Sequence, residues 1–176
     1  EDPEAPADIC GYLQMADMHQ KANRLSQAVG LLRKLLDAEP ENPRVQLRLA
    51  ELLIATSQPA EAANVLRAAA QQVLRRGDHA EALKLIDRTL KIDSADAASL
   101  SLRARALAGS GKQSEAMQML ESLPDVDAGG ESSSLLVELY LDAGELARAG
   151  DLAERIHARE PLHYAVVQQV AVALLD

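Results

Sequence analysis

The side chains of this sequence that could carry out acid–base, nucleophilic or metal chemistry are few and scattered. One cysteine, Cys10, stands near the start of the chain, and the four histidines are at positions 19, 79, 157 and 163. No GxGxxG, GxxxxGK[ST], HExxH or CxxC motif accompanies them. His157 and His163 are the closest pair, but Pro161 and a predicted helix end lie between them, so their spacing does not predict metal ligands. We therefore expect no catalytic, cofactor or metal site, and we expect Cys10 to be an inert packing residue.

The composition indicates an all-α protein. Hydrophobic residues make up 48 % of the 176 residues, yet only 2 % are aromatic, with neither Phe nor Trp. Ala and Leu, which are strong helix formers, supply most of the apolar content. The net charge of -9 argues against a nucleic-acid or anionic-membrane partner. No apolar run reaches the roughly 18 residues needed to cross a bilayer, so we expect no direct membrane insertion.

The first eight residues, EDPEAPAD, contain four acidic residues and neither an initiating Met nor a signal peptide. They are predicted to form a disordered acidic leader over residues 1–8, in a segment of a longer polypeptide. Targeting information is then missing from the segment, so the sequence does not distinguish a cytoplasmic from a periplasmic location. The preference for Arg over Lys and the many Ala residues are typical of a GC-rich bacterial genome.

A hexapeptide that begins with a turn residue and ends in Ala recurs five times along the chain. Its copies are NRLSQA (23–28), SQPAEA (57–62), GDHAEA (77–82), GKQSEA (111–116) and GELARA (144–149). The closing alanines are 34, 20, 34 and 33 residues apart. Small residues also precede each turn, with Val137 as the exception, at positions 16, 50, 70 and 104. Pairs of small residues let two helices of a hairpin approach closely, so the pattern predicts repeated helix-turn-helix units.

These residues resemble the tetratricopeptide repeat. The resemblance implies a right-handed α-solenoid of antiparallel helix-turn-helix repeats with about ten helices, over residues 9–176. The implied units are 9–42, 43–76 overlapping 63–96, 97–129, 130–163 and a C-terminal helix at 162–176. Helices are predicted near 9–22, 25–39, 43–56, 59–76, 78–92, 96–109, 112–123, 131–142, 146–159 and 162–176. Because of the 20-residue step, the helix at 59–76 fits two roles, as the second helix of one pair and the first helix of the next.

In that family the first helix of each pair lines a concave face that touches the ligand. The resemblance therefore implies a partner-binding groove formed by Arg44, Arg48, Glu51, Arg67, Gln71, Arg75, Arg105 and Glu138. The same spacing adds Asn64, Ser101, Glu131, Ser134 and Asp142 as solvent-facing neighbours. This groove would be basic in its middle and acidic toward the C-terminal units, which gives the hypothesis of an acidic peptide ligand. The alternative is a solvated helix face with ordinary charge patterning.

The function implied is a non-catalytic scaffold that binds a peptide or a partner protein on this groove. One alternative is a regulatory or substrate-recruiting arm of a larger enzyme. Another is a self-associating structural module, in which the last helix forms a homodimer through Val166, Val167, Val170 and Leu174. The segment 122–134, rich in Gly, Ser, Pro and acidic residues, is predicted to be an ordinary inter-repeat turn, with a mobile loop as the alternative.

Overall fold

The computed structural model describes residues 9–124 and 126–159, together with residues 168, 170 and 172. All the regular secondary structure in these residues is α-helical, as the composition predicts. The helices are α1 (Ile9–Lys21), α2 (Leu25–Ala38), α3 (Pro43–Ala55), α4 (Pro59–Arg75), α5 (His79–Ile92), α6 (Ala97–Gly109), α7 (Gln113–Glu121), α8 (Glu131–Asp142) and α9 (Leu146–Arg159). Each predicted helix that falls in the described residues is confirmed, with its ends displaced by at most two residues.

Two predictions fall mainly or wholly outside the described residues. They are the leader at 1–8 and most of the last helix at 162–176. Within the latter, Gln168, Val170 and Val172 are helical. Val170 is buried in the core beside α6 to α9, so this residue of the predicted dimer face is already covered within the chain.

The turn residues that open the five hexapeptides all adopt the left-handed backbone conformation. Their φ angles are +57° at Asn23, +59° at Ser57, +81° at Gly77, +82° at Gly111 and +73° at Gly144. Gly and Asn accept this conformation more readily than other residues, and it reverses the chain between two helices. The predicted helix-to-helix turns are therefore confirmed, and Ser57 is the one copy without Gly or Asn.

The alanine that closes each hexapeptide lies at the contact between helices. Residues 28, 62, 82, 116 and 149 are all 0 % exposed. The small residues that precede the turns, at positions 16, 50, 70 and 104, are also buried, as is Val137. In the hairpins α1–α2, α3–α4 and α6–α7 both small residues thus occupy the interior, where a larger side chain would separate the helices.

Local signals fix where several helices begin. Asn42 caps α3 by accepting hydrogen bonds from the backbone N–H groups of Arg44 and Val45, and Pro43 supplies the fixed φ of the first turn. Asp96 caps α6 through the N–H of Ser99 at 3.1 Å. Asp78 accepts a hydrogen bond from the N–H of Glu81 at 3.1 Å, as an N-cap residue does.

The chain divides into two compact units. The first comprises Glu1–Arg76 with Lys84–Ser94, and the second comprises Gly77–Leu83 with Ala95–Asp176. The division falls where the sequence period shortens to 20 residues. In the first unit α4 packs against α3, which is one of its two predicted roles. Its second role, as the partner of α5, remains a prediction.

Ion pairs show how the first unit is layered. Arg48 of α3 binds Asp17 of α1, and Arg33 of α2 binds Glu61 of α4 with contacts of 2.6 and 3.0 Å. Helices α1 and α3 therefore form one layer, and α2 and α4 form the other. The first helices of the two hairpins share a face, as expected for stacked helical hairpins.

The second unit repeats this arrangement. Helix α6 packs on α7 and on α8, and α8 packs on both α7 and α9. Arg105 of α6 pairs with Glu131 of α8 at 2.9 Å, while Arg148 of α9 pairs with Glu121 of α7 at 2.5 Å. Helices α6 and α8 thus form the layer of first helices, and α7 and α9 form the layer of second helices.

The segment between α7 and α8 packs against the second unit. Leu123 and Val126 contact the hydrophobic core of α6 to α9, and Asp127 pairs with Arg159 of α9. These contacts favour the ordinary inter-repeat turn over the alternative of a mobile loop. In the described part of the chain, no helix combines the length and apolarity needed to cross a bilayer.

Candidate functional site

The reactive side chains in the described part of the chain are not brought together. Cys10 is exposed on the first turn of α1, where its Sγ accepts a hydrogen bond from Gln14 at 3.8 Å. The prediction that Cys10 is a packing residue is therefore wrong for the described residues, because none of them covers its side chain. His163 lies outside those residues. Within them, no group of three or more His, Cys, Asp or Glu side chains could hold a metal ion.

Three predicted groove residues form one stripe on α3. Arg44 and Glu51 are exposed and Arg48 is partly buried. Arg48 donates from Nε to Asp17 at 3.0 Å, from Nη1 to Glu51 at 3.1 Å and from Nη2 to Gln20 at 2.5 Å. Because these bonds join α3 to α1, they hold a polar surface in a fixed arrangement on the layer of first helices.

Three other predicted groove residues, Arg67, Gln71 and Arg75, lie on α4. This helix belongs to the layer of second helices, so the three do not share a face with the stripe on α3. Arg67 bonds to Asn64 at 2.5 Å. Arg75 approaches Glu41 at 3.9 Å in an exposed, weak ion pair. The structure therefore places the two halves of the predicted basic region on different layers of the first unit.

The remaining predicted residues lie on the first helices of the second unit. Arg105 on α6 and Glu138 on α8 are exposed, and Arg105 pairs with Glu131. Ser101 was expected to face solvent, but it is only 2 % exposed. That expectation is wrong because the side chain of Ser101 is enclosed between α6 and the start of α8.

Internal ion pairs reduce the positive charge expected from the sequence. Arg48, Arg75 and Arg105 each contact a carboxylate of the same chain. Arg44 is exposed and forms no side-chain ion pair within the described residues. A sequence-based count of arginines therefore overestimates the attraction of this region for an acidic ligand, since the paired carboxylates offset most of it.

A groove of about 340 Å³ lies where α6 and α8 begin. We call it the α6–α8 groove, and its lining residues are Ala97, Ala98, Ser101, Ala128, Gly130, Glu131, Ser132 and Ser133. The hydroxyls of Ser101 and Ser133 are buried and have no hydrogen-bond partner among the described residues. Sequence reasoning missed this groove, although the run GGESSS at the start of α8 is an unusual concentration of small residues.

A cluster of polar side chains joins α7, α8 and α9. The hydroxyl of Tyr140 donates to Oε1 of Glu121 at 2.9 Å, and the guanidinium of Arg148 lies 4.4 Å from the centre of the Tyr140 ring. Burial, followed by the bond to Glu121, raises the pKa of Tyr140 to about 12. Each charged group has an opposite charge or a hydrogen-bond donor beside it, so the cluster stabilises packing between the three helices.

Another groove, of about 530 Å³, lies between α2, α3 and α4. Gln46, which is buried there, donates to the carbonyl of Pro40 at 2.7 Å and to Gln72 at 3.0 Å. These bonds tie the loop before α3 to α4, which is a structural role. The amide oxygen of Gln46 has no partner among the described residues.

The comparison with protein families agrees with this geometry. The family model described as tetratricopeptide repeat matches residues 19–76 and 73–139, well over half of the chain. The comparison with curated protein sequences gave no significant match.

Two of the solved structures of similar fold are described as TPR proteins. TTC0263, a thermophilic TPR protein in Thermus thermophilus, has a TM-score of 0.54 at 21 % identity, covering 94 % of this chain and 98 % of its own. YrrB, described as "a TPR protein with an unusual peptide-binding site", has a TM-score of 0.55 at 14 % identity, covering 90 % and 89 %. MamA has a TM-score of 0.52 at 14 % identity, covering 85 % and 90 %. At these identities the likeness concerns the fold alone.

Proposed function

Because the chain belongs to the tetratricopeptide-repeat family, we propose that it is a non-catalytic scaffold that binds a peptide or a partner protein on the layer of first helices. In the first unit this surface is the stripe Arg44, Arg48 and Glu51 on α3 with Asp17 and Gln20 of α1. We call it the α1–α3 face. In the second unit it is the layer of α6 and α8, with Arg105 and Glu138.

The observation that carries the proposal is the fixed position of Arg48. Its guanidinium is held by two carboxylates and one amide from two helices, so the surrounding polar surface is ordered before any partner arrives. A surface ordered in advance loses less side-chain entropy on binding than a mobile one. Arg44, one turn away on α3, remains available for a charged or polar group of the partner.

The charge of the α1–α3 face is balanced rather than basic. Arg44 and Arg48 are offset by Asp17 and Glu51 on the same face. Such a surface favours a partner with both donors and acceptors, and the recognition of a strictly acidic segment then depends mainly on Arg44. Replacement of Arg44 therefore tests the hypothesis of an acidic ligand.

The experiment compares two single charge reversals at exposed arginines, one on each layer. Arg44→Glu changes the α1–α3 face, and Arg75→Glu changes the layer of second helices. The full chain and both variants would be immobilised, partners captured from lysate and identified by mass spectrometry, and affinities for the identified partner measured by calorimetry. We expect Arg44→Glu to weaken binding by at least about tenfold, the effect of one charge-assisted contact.

Arg75→Glu should retain the wild-type affinity, and circular dichroism should show that both variants keep their helical content. Loss of the partner in Arg75→Glu alone would move the binding surface to the layer of second helices. Equal affinity in all three proteins would refute a role for either layer of the first unit.

A further inference from the structure

The α6–α8 groove combines features that a purely structural role leaves unexplained. Ser101 and Ser133 are 2 % and 0 % exposed, and neither hydroxyl has a hydrogen-bond partner among the described residues. A buried polar group without a partner destabilises the folded state, whereas Ala at the same helical positions would remove that cost and favour the helix. Both serines line one groove, so a ligand acceptor there could supply the missing bonds.

The start of α8 adds further donors to the same place. Gly130 is the N-cap residue and offers no side chain, so no side-chain bond caps the first turn within the described residues. The N–H groups of the first turn of any helix lack intrahelical partners, and they face outward from its N-terminal end. By contrast, the neighbouring α6 is capped by Asp96. These N–H groups can only donate, whereas each serine hydroxyl can donate or accept, so a ligand acceptor suits both kinds of group.

The walls of the groove determine the size of its ligand. Apart from Glu131, every lining residue is Ala, Gly or Ser. Small walls allow another backbone to approach closely, as Gly and Ala do at helix–helix contacts. A bulky side chain would be held away from the two serines, whereas Gly or Ala would not.

The charge of the groove indicates whether the hydrogen-bond acceptor on the ligand is neutral or anionic. The one ionised group in its lining is the carboxylate of Glu131, which is exposed and paired with Arg105 on the rim. A carboxylate at the edge repels an anionic ligand and offsets the attraction of the helix N-terminus. A neutral carbonyl oxygen has neither disadvantage, and it accepts from hydroxyl and N–H donors alike.

We propose that the α6–α8 groove binds an extended, uncharged peptide segment of Gly and Ala residues, whose main-chain carbonyl oxygens accept hydrogen bonds from Ser101, Ser133 and the first turn of α8. Because both hydroxyls are buried in the unbound chain, this binding requires a rotation about χ1 that turns each of them toward the groove. The inference rests on the proposed scaffold function and names the chemistry of the partner segment. It concerns the second unit only, so its failure leaves the test of Arg44 unaffected.

The test is a titration of the ¹⁵N-labelled full chain with acetyl-Gly-Ala-Gly-Ala-amide, followed by the amide shifts of residues 97–101 and 130–133. We expect saturable shifts confined to these two segments. Acetyl-Gly-Leu-Gly-Leu-amide should cause none, because its side chains would hold the peptide backbone away from the two serines. The absence of saturable shifts with the Gly-Ala peptide would overturn the proposal.

Two variants separate ligand binding from folding. In the double variant Ser101→Ala with Ser133→Ala, we expect the melting temperature to rise while affinity for the Gly-Ala peptide falls at least about tenfold, since two donors are lost. Ala98→Leu, at an exposed lining position, should keep the wild-type fold and block binding. Unchanged affinity in the double variant would overturn the proposal, whatever happens to stability.

The charge of the ligand is tested with the same peptide carrying a free C-terminal carboxylate. We expect it to bind no more tightly than the amide, because Glu131 disfavours a second negative charge. Binding tighter by tenfold or more would identify an anion site and overturn the assignment of an uncharged segment.

Discussion

The imidazole of His79, at the start of α5, lies directly against the Cα of Gly109, at the end of α6. A methyl group built on Gly109 would lie 2.2 Å from Cε1 of His79 and 2.7 Å from both ring nitrogens. Such distances are far inside van der Waals contact, so no side chain fits at position 109 while His79 keeps its place. Gly109 therefore leaves the space that the His79 ring occupies, and a side chain at position 109 requires this ring to move.

Gly109→Ala should lower the free energy of unfolding by about 1–3 kcal/mol, the usual cost of overpacking. Gly30→Ala and Gly150→Ala are matched controls, because both glycines are inside helices and have open space around the added methyl group. Each control should instead stabilise the protein by about 0.5–1 kcal/mol, since Ala favours the helix. Urea unfolding of the three variants measures these differences.

The double variant Gly109→Ala with His79→Ala identifies the cause. Removing the imidazole leaves room for the methyl group, so the added cost of Gly109→Ala should disappear in that background. If Gly109→Ala is as destabilising without His79 as with it, the contact is not the reason.

Gly111→Ala tests the backbone of a turn rather than its packing. The space around Gly111 is open, but its φ of +82° is unfavourable for a residue with a Cβ. We expect a loss of about 1–2 kcal/mol in urea unfolding. Gly111→Asn should lose less than half as much, because Asn tolerates the left-handed region, as Asn23 does in the corresponding turn. Equal losses for Ala and Asn would contradict this explanation.

Tyr140 should make stability depend on pH in the alkaline range. Its pKa is about 12 in the folded chain, and about 10 in an unfolded chain. Since the folded-state pKa is the higher one, the stabilisation is complete below about pH 10 and is lost as the pH rises toward 12. Wild type should therefore lose more stability than Tyr140→Phe between pH 9 and 11.5.

The titration of Tyr140 itself can be followed by absorbance at 295 nm. The chain has three tyrosines, so the difference between wild type and Tyr140→Phe isolates this one. A midpoint near pH 10 in the difference curve would show that neither burial nor Glu121 affects the phenol.

Sequence reasoning succeeded where one residue type at one position determines the backbone. The turn residues and the closing alanines recur with a clear period. Few other residue types satisfy the geometry at Gly111 or at Ala116. It was less successful for Ser101 and for Arg67. The layer to which Arg67 belongs depends on how α4 packs, and the 20-residue step leaves that open. The burial of Ser101 depends on the approach of the start of α8 to α6, which no local sequence pattern indicates.

The electrostatics of the candidate surface could not be predicted for a related reason. Asp17 and Arg48 are 31 residues apart, and no local pattern indicates that they meet. Because these two residues form an ion pair, the negative charge of Asp17 compensates the positive charge of Arg48. The α6–α8 groove was missed because its small residues come from two separate segments, 97–101 and 128–133.

The ion pair between Arg48 and Asp17 should contribute more stability than the pair between Arg105 and Glu131. The Arg48 and Asp17 side chains are 29 % and 49 % exposed, and both Nε and Nη2 of Arg48 contact Asp17, whereas Arg105 and Glu131 are 51 % and 56 % exposed with a single contact. Double-mutant cycles with Ala should give a coupling of about 1 kcal/mol for the first pair and about 0–0.5 kcal/mol for the second. Arg48→Lys should recover less than half of the first coupling, since an ammonium group cannot make the two-point contact. Couplings of equal size would mean that the α1–α3 face is no more ordered than the rest of the surface, and the argument for a surface fixed before binding would lose its basis.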